Sequence, residues 1–298
     1  MATTDRTLDR GGARSPLGAL ELIGFVLIVL VLTLAPGGVW AGLLGANLKT
    51  GMAIPWSIPA ALALLWVAWR YAGGERPWPV SERRRAQRRA NRLPAPILAL
   101  ALAANAAALI SLAGFWIVMK ELGAGGVNRV PDFSGYPPYV VVLVLGCAAV
   151  VGGAAEEVGL RGYLQQRFEG LAPWPVAVLL TALVAAPAHA LTQGFVWPTL
   201  VFYLLADVTY GVTAYLTDSI LPGAIAHVAG LFVFFAVIWP RDAARPQVTL
   251  AQADPAFWGQ LALVGAFGAL AVWALARLAR TTASTRASGQ ALAAGRPA

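Results

Sequence analysis

Charge is scarce in this sequence. Lysine, arginine, aspartate and glutamate make up 12% of the 298 residues, about half the usual share. Apolar residues account for 58%, and with glycine the share is ~68%, against a typical ~45–50% counted the same way. A 31.2 kDa globule cannot hide that much apolar surface from water. An ordinary soluble fold is therefore excluded, and so are disorder and a collagen repeat. The single cysteine, Cys147, excludes an internal disulfide and with it a secreted disulfide scaffold. Histidine is almost as rare, with two in the whole chain. The helical zinc signature H-E-x-x-H is absent.

Long apolar runs are what the sequence has in abundance. A helix needs ~20 mainly apolar residues to cross the hydrocarbon core. Eight segments meet that need, at about 17–36, 53–71, 94–119, 137–158, 173–192, 196–216, 219–239 and 256–278. The first reads as a retained helix rather than a signal peptide, because its run is long and seven more follow. The expected fold class is all-α, a polytopic integral membrane protein with about eight transmembrane helices. The expected organisation starts with a cytoplasmic tail at 1–16. Three helices over 17–136 carry a basic loop at 70–93. A four-helix core spans 137–239, an outer loop and last helix 240–280, and a disordered cytoplasmic tail 281–298.

The net charge of +8 takes its meaning from where the charges sit. With the N-terminus inside, 17 of the 22 lysines and arginines fall in inner segments, as the positive-inside rule requires. The outer loops hold Lys49, Lys120, Arg129, Arg241 and Arg245. The run Ser81-Glu-Arg-Arg-Arg-Ala-Gln-Arg-Arg has two readings. One is binding to nucleic acid or a protein partner. The other, favoured by its place between two spans, is a topology signal on anionic headgroups, worth ~1 kcal/mol per charge. No nucleic-acid partner is expected; the bilayer itself is. The cytoplasmic (cell) membrane is the expected location.

An ionisable residue inside a membrane span is costly, so each is a functional candidate by default. The candidates are Glu21, Glu156, Glu157, Arg161, His189, Asp207 and His227. Both histidines of the chain lie inside apolar spans. Glu157 and Arg161 are four apart and share a helical face, so they can pair. Glu156 then points ~100° away, free of that arginine for general-base work. A helix end with ordinary solvated charges is the alternative for this cluster. Gly223 and Gly230 flank His227 and allow a close neighbour. Pro187, two residues before His189, can re-aim its helix. Asp207 sits mid-span, either as a structural stand-in or, the favoured reading, bonded to Thr209, Tyr210 or Thr213.

The E-E-x-x-x-R string at Glu156, Glu157 and Arg161, a histidine on the next span, and a second histidine after Ser219-Ile-Leu-Pro occur in a set order. This order resembles the CAAX-protease and bacteriocin-processing (CPBP, or Abi) family of intramembrane proteases, over about 137–239. The resemblance implies a peptidase in which Glu156 activates water, His189 completes the water site and His227 stabilises the oxyanion. Glu157, Arg161 and Asp207 would support them. It implies no cofactor, with zinc on Glu156, His189 and His227 as the lesser alternative. It also implies a peptide or membrane-protein substrate, whether or not lipid-modified.

Two positions depart from the family pattern. Ala185 stands where an aromatic residue is usual, four before the first histidine. Leu231 stands where Asn or Asp is usual, four after the second. Leu231 keeps open a non-catalytic role as an immunity, scaffolding or regulatory protein. A transporter is a third option, since such residues also make proton relays, but the hydropathy pattern has no internal repeat. The depths of the two histidines along their helices agree best if the fourth span continues as one helix to about Phe168.

Both termini are expected in the cytoplasm. Reporters active only outside it, fused to either end, should stay silent; a signal from either one overturns this topology.

Overall fold

Hydrocarbon offers no water to satisfy peptide groups, and a helix satisfies them locally. The computed structural model describes residues 16–51, 54–72, 76, 78–126, 133, 135–242 and 244–293. Among these it is all helical, with no strand. The principal helices are α1 (Pro16–Lys49), α2 (Ser57–Ala72), α3 (Ser81–Gln87) and α4 (Ala95–Glu121). They are followed by α5 (Pro138–Glu169), α6 (Trp174–Gln193), α7 (Trp197–Thr217), α8 (Leu221–Asp242) and α9 (Pro255–Ala293). Prolines open α4 to α8, where a missing N–H costs nothing and the fixed φ suits the first turn.

Among the described residues, six of these helices, α1, α4, α5, α7, α8 and α9, are long and apolar enough to cross a membrane. The expected count of about eight is not reached. Helix α2 has 16 residues, against the ~20 a full crossing needs, while α6 has 20, of which Trp174–Ala190 forms an apolar stretch. Apolar composition identified both helices; the expected span 53–71 took in residues ahead of Ser57, and the expected 173–192 lies within one residue of α6 at each end. The fourth span does run on as one helix, Pro138–Glu169.

The tail also differs from expectation. Instead of losing order at 281, α9 continues to Ala293. Alanine-rich sequence favours helix, and the Thr281, Thr282 and Thr285 hydroxyls turn back onto carbonyls of the preceding turn. The terminal segments 1–15 and 294–298, which include most of the expected N-terminal tail, lie outside the described residues.

Helix α5 is central. It packs against α1, α2 and α8, while α4 packs along α9 and against α7 and α8, and α6 lies on α7. Two glycines bring α5 and α8 together. A Cβ on Gly153 would lie 3.2 Å from the Val228 backbone nitrogen, and one on Gly223 would lie 2.7 Å from Glu157 Oε2. Gly230, by contrast, faces Leu109 of α4, with a Cβ position 3.1 Å from its Cδ1. Gly159 meets the Thr33 side chain of α1.

The basic run is not uniformly a surface feature. Arg89 is 7% exposed and has a left-handed φ of 53°. Its guanidinium donates to Glu169 Oε1 at 2.9 Å and to Asp218 Oδ1 at 3.1 Å, and its carbonyl accepts from Ile220 N at 2.9 Å. This clasp ties the basic loop to the ends of α5 and α7. Arg88 lies over the Trp69 ring at 4.9 Å.

Gly153→Val should push α5 and α8 apart, because its neighbour is backbone and cannot yield. The expected loss is about 1–3 kcal/mol, read as a lower thermal midpoint in detergent. Gly24→Val, where nothing lies within 4 Å, should stay within about 0.5 kcal/mol of the parent. Equal midpoints for the two variants would contradict the close packing.

Candidate functional site

The site begins where α5 changes its pitch. Regular α-helix ends at Glu156, and Glu157–Leu164 is a π-helical stretch. Its i→i+5 bonding widens the helix, a feature common at functional sites. The widened stretch presents Glu157 and Arg161 to the interior, where both are fully buried. Arg161 Nη1 lies 3.2 Å from Glu157 Oε1, without hydrogen-bond alignment, so their attraction is coulombic. The expected pairing is present, and Glu156 points elsewhere.

Glu156 faces both histidines. His189 Nε2 and His227 Nε2 each lie 3.6 Å from Glu156 Oε2. That is beyond direct hydrogen-bond length, and Glu156 Oε2 is buried without a hydrogen-bond partner. The other face of His227 is held, with Nδ1 3.0 Å from Glu157 Oε1. The four residues thus form a chain from Arg161 through Glu157 and His227 to Glu156. The close approach at Gly153 and Gly223 is what lets His227 reach both glutamates.

Asp207 is bound differently from expectation. Its Oδ1 pairs with Arg161 Nη2, and its backbone carbonyl accepts from the same nitrogen at 3.3 Å. Thr209 and Thr213 donate instead to carbonyls of their own helix, at 2.8 and 3.0 Å. A hydroxyl four residues past a carbonyl satisfies itself locally, which leaves Asp207 to the guanidinium. Arg161 is therefore forked between two buried carboxylates. Glu21 is an exposed residue of α1 and has no part in the site.

Two tyrosines complete the walls. Tyr203 stacks on His189 with centroids 4.0 Å apart and planes at 10°, and Gln193 Nε2 donates to the Tyr203 hydroxyl. The ring that stacks on His189 thus comes from α7. Tyr210 stacks on His227 at 4.8 Å and lies 5.2 Å below the Arg161 guanidinium. Tyr203 did not stand out in the sequence, and Tyr210 did so only as a possible partner of Asp207. The signal was there, since Tyr203, Asp207 and Tyr210 follow at i, i+4 and i+7, one stripe of a helix.

A cavity of about 270 Å³ opens beside these groups. Its polar lining includes His189, His227 and Asp207, and its apolar wall includes Leu109, Leu231 and Phe234. Leu231, four residues after His227, presents hydrocarbon to the cavity. The α4 residues Ala106, Leu109, Ile110 and Ala113 also line it, so the pocket extends beyond the 137–239 core. Among the described residues, no group of three or more His, Cys, Asp or Glu side chains is disposed to hold a metal ion.

A family model described as "Type II CAAX prenyl endopeptidase Rce1-like" matches residues 138–233. That stretch contains Glu156, Glu157, Arg161, His189, Asp207 and His227. No curated protein and no solved structure matches the chain.

Arg161 is the compensating charge for two buried carboxylates. Arg161→Met should cost about 3–5 kcal/mol, as when one partner of a buried ion pair is removed, and Arg161→Lys less. Chemical unfolding in detergent reads the loss. An Arg161→Met protein as stable as the parent would show that the fork contributes nothing.

Proposed function

We propose that this chain, whose residues 138–233 are a type II CAAX prenyl endopeptidase Rce1-like domain, is a membrane-embedded peptidase. The reaction is hydrolysis of a peptide bond by a water that Glu156 activates. The observation that carries this reading is the convergence of both histidines, at 3.6 Å, on one oxygen of Glu156. These are the only histidines in the chain, and they come from different helices.

In this reading a water shared by Glu156 and His189 gives a proton to Glu156 as its oxygen attacks the carbonyl carbon. The proton then passes to the departing amine, and Glu156 returns to carboxylate. His227 faces the developing oxyanion. Its Nδ1–H is given to Glu157, and in the imidazolium form Nε2–H is also a donor. Such a donor is commonly worth ~2.7–4 kcal/mol in the transition state. Arg161 holds Glu157 and acts through it as a positioning residue. The substrate is a peptide or a membrane-protein segment, and no metal takes part. The site works from the cytoplasmic membrane, with both termini inside.

A second reading is a non-catalytic family member with a scaffolding or regulatory role. Leu231 favours it, because this hydrocarbon wall removes a polar group from the place where the oxyanion would form.

Glu156→Gln and Glu156→Ala decide between the two. Cleavage of an internally quenched peptide library by the purified protein should fall by about 10²–10⁴ in both variants. Wild-type cleavage should survive chelation. Undiminished cleavage by a folded Glu156→Gln protein overturns the mechanism. A wild type that cleaves nothing supports the second reading, and activity lost on chelation and restored by zinc overturns the metal-free one.

A further inference from the structure

A second cavity, of about 290 Å³, shares no lining residue with the first. It is bounded by α1, α2 and the π-helical stretch of α5, and α3 contributes Arg84 and Gln87. Its α1 wall runs from Phe25 to Pro36, ~16 Å of helix at ~1.5 Å per residue. Ile28 and Leu32 on that wall are 60% and 58% exposed, so the cavity is a cleft that opens sideways on an apolar outer face. The basic segment is fixed at one end of it. A Cβ on Gly162 would lie 3.1 Å from the Arg88 Cα, which seats Arg88 against α5 beside Tyr163, a lining residue.

This end carries positive charge. The Arg84 guanidinium donates to the carbonyls of Arg76 and Tyr71, which aims it without neutralising it. It has five N–H donors, and no carboxylate pairs with it among the described residues. The Arg88 guanidinium lies over the ring of Trp69, which lines the cleft. Over 82–88, Arg83, Arg84, Arg85 and Arg88 stand against one acid, Glu82. Arg89 is spent on Glu169 and Asp218.

A hydrocarbon cleft with arginines at one end fits an apolar chain that ends in an anion. The chain gains little by leaving the bilayer, because lipid tails are as apolar as the leucines around it. The cleft therefore supplies shape, and the headgroup supplies the choice between lipids. Arginine makes charge-assisted hydrogen bonds to phosphate oxygens, and basic pockets between membrane helices suit anionic headgroups. A nucleic acid or a polar protein segment matches the arginines but not the hydrocarbon beside them.

We infer that the cleft between α1, α2 and α5 is a binding site for an anionic phospholipid, with one acyl chain along α1 and the phosphate at Arg84 and Arg88. The inference goes beyond the peptidase reading and does not rest on it. It sets a lipid against Val158 and Gly159, on the same π-helical stretch that carries Glu157 and Arg161.

The probe is phosphatidylglycerol with a diazirine on one acyl chain, added to the purified full chain in detergent micelles. Crosslinks read by mass spectrometry should concentrate in 25–36 and 154–163. Unlabelled phosphatidylglycerol should displace the probe at a concentration at least about fivefold lower than phosphatidylcholine with the same chains, and Arg84→Gln should weaken that displacement about fivefold. Arg241→Gln, which removes a charge from α8 outside the cleft, should leave it unchanged. Glycerol phosphate, which has no acyl chain, should not displace the probe. The inference is overturned by crosslinks spread evenly over α4 and α9, by phosphatidylcholine competing as well as phosphatidylglycerol, or by equal losses in the two variants. Displacement by glycerol phosphate as effective as by the lipid also overturns it, and assigns the arginines to a free phosphate. Crosslink positions and lipid competition are read on the parent chain, so they decide even if Arg84→Gln fails to fold.

Discussion

A guanidinium buried among apolar helices governs the centre of this protein. Arg161 is fully buried, and a lone charge there would be prohibitively costly. It is tolerable because Glu157 and Asp207 approach it from α5 and α7. The same contacts fix the relative positions of these two helices. Glu157, once held, takes Nδ1 of His227 and so sets the ring that faces Glu156. Tyr210 covers both the ring and the guanidinium. An energetic necessity, compensating one charge, thus sets the geometry of the site.

Close packing is the second requirement. A network with a 3.0 Å contact between α5 and α8 needs backbones close enough for short side chains to meet. Gly153 and Gly223 provide this, since a Cβ at either would collide with the facing helix. In lipid, where there is little hydrophobic drive between helices, such small-residue contacts are a main source of association. The π-helical stretch after Glu156 belongs to the same arrangement. It widens α5 where Glu157 and Arg161 must turn inward and where α1 presses on Gly159. A second π-helical stretch, Phe234–Ile238, follows His227 on α8, and both of these end residues line the cavity.

The rare polar residues were legible as a site because each is expensive in an apolar span. Glu156, His189 and His227 could be named from that cost and from their order along the chain. The Glu157–Arg161 pair followed from a spacing of four. Asp207 could not be assigned in the same way. Its neighbours in sequence are hydroxyls, which bind their own helix, and its true partner lies 46 residues away. Tyr203 looked like an ordinary apolar-span aromatic, and Tyr210 like a partner of Asp207, until α7 was placed against the two histidines. The contribution of α4 to the cavity wall was hidden for the same reason, since it lies outside the stretch that carries the motifs.

Composition and local spacing alone determined that the chain is helical and suited to a membrane, that its fourth span runs on to about Phe168, and which polar residues lie inside its apolar spans. Those properties depend on the residue and its near neighbours, so a sequence records them. Only the tertiary structure decided that α2 is short and that α9 continues past 281. It alone placed Arg161 between two carboxylates and brought Asp207 to the wall of the cavity. These depend on which helical faces meet, and that is set by contacts between side chains far apart in the chain.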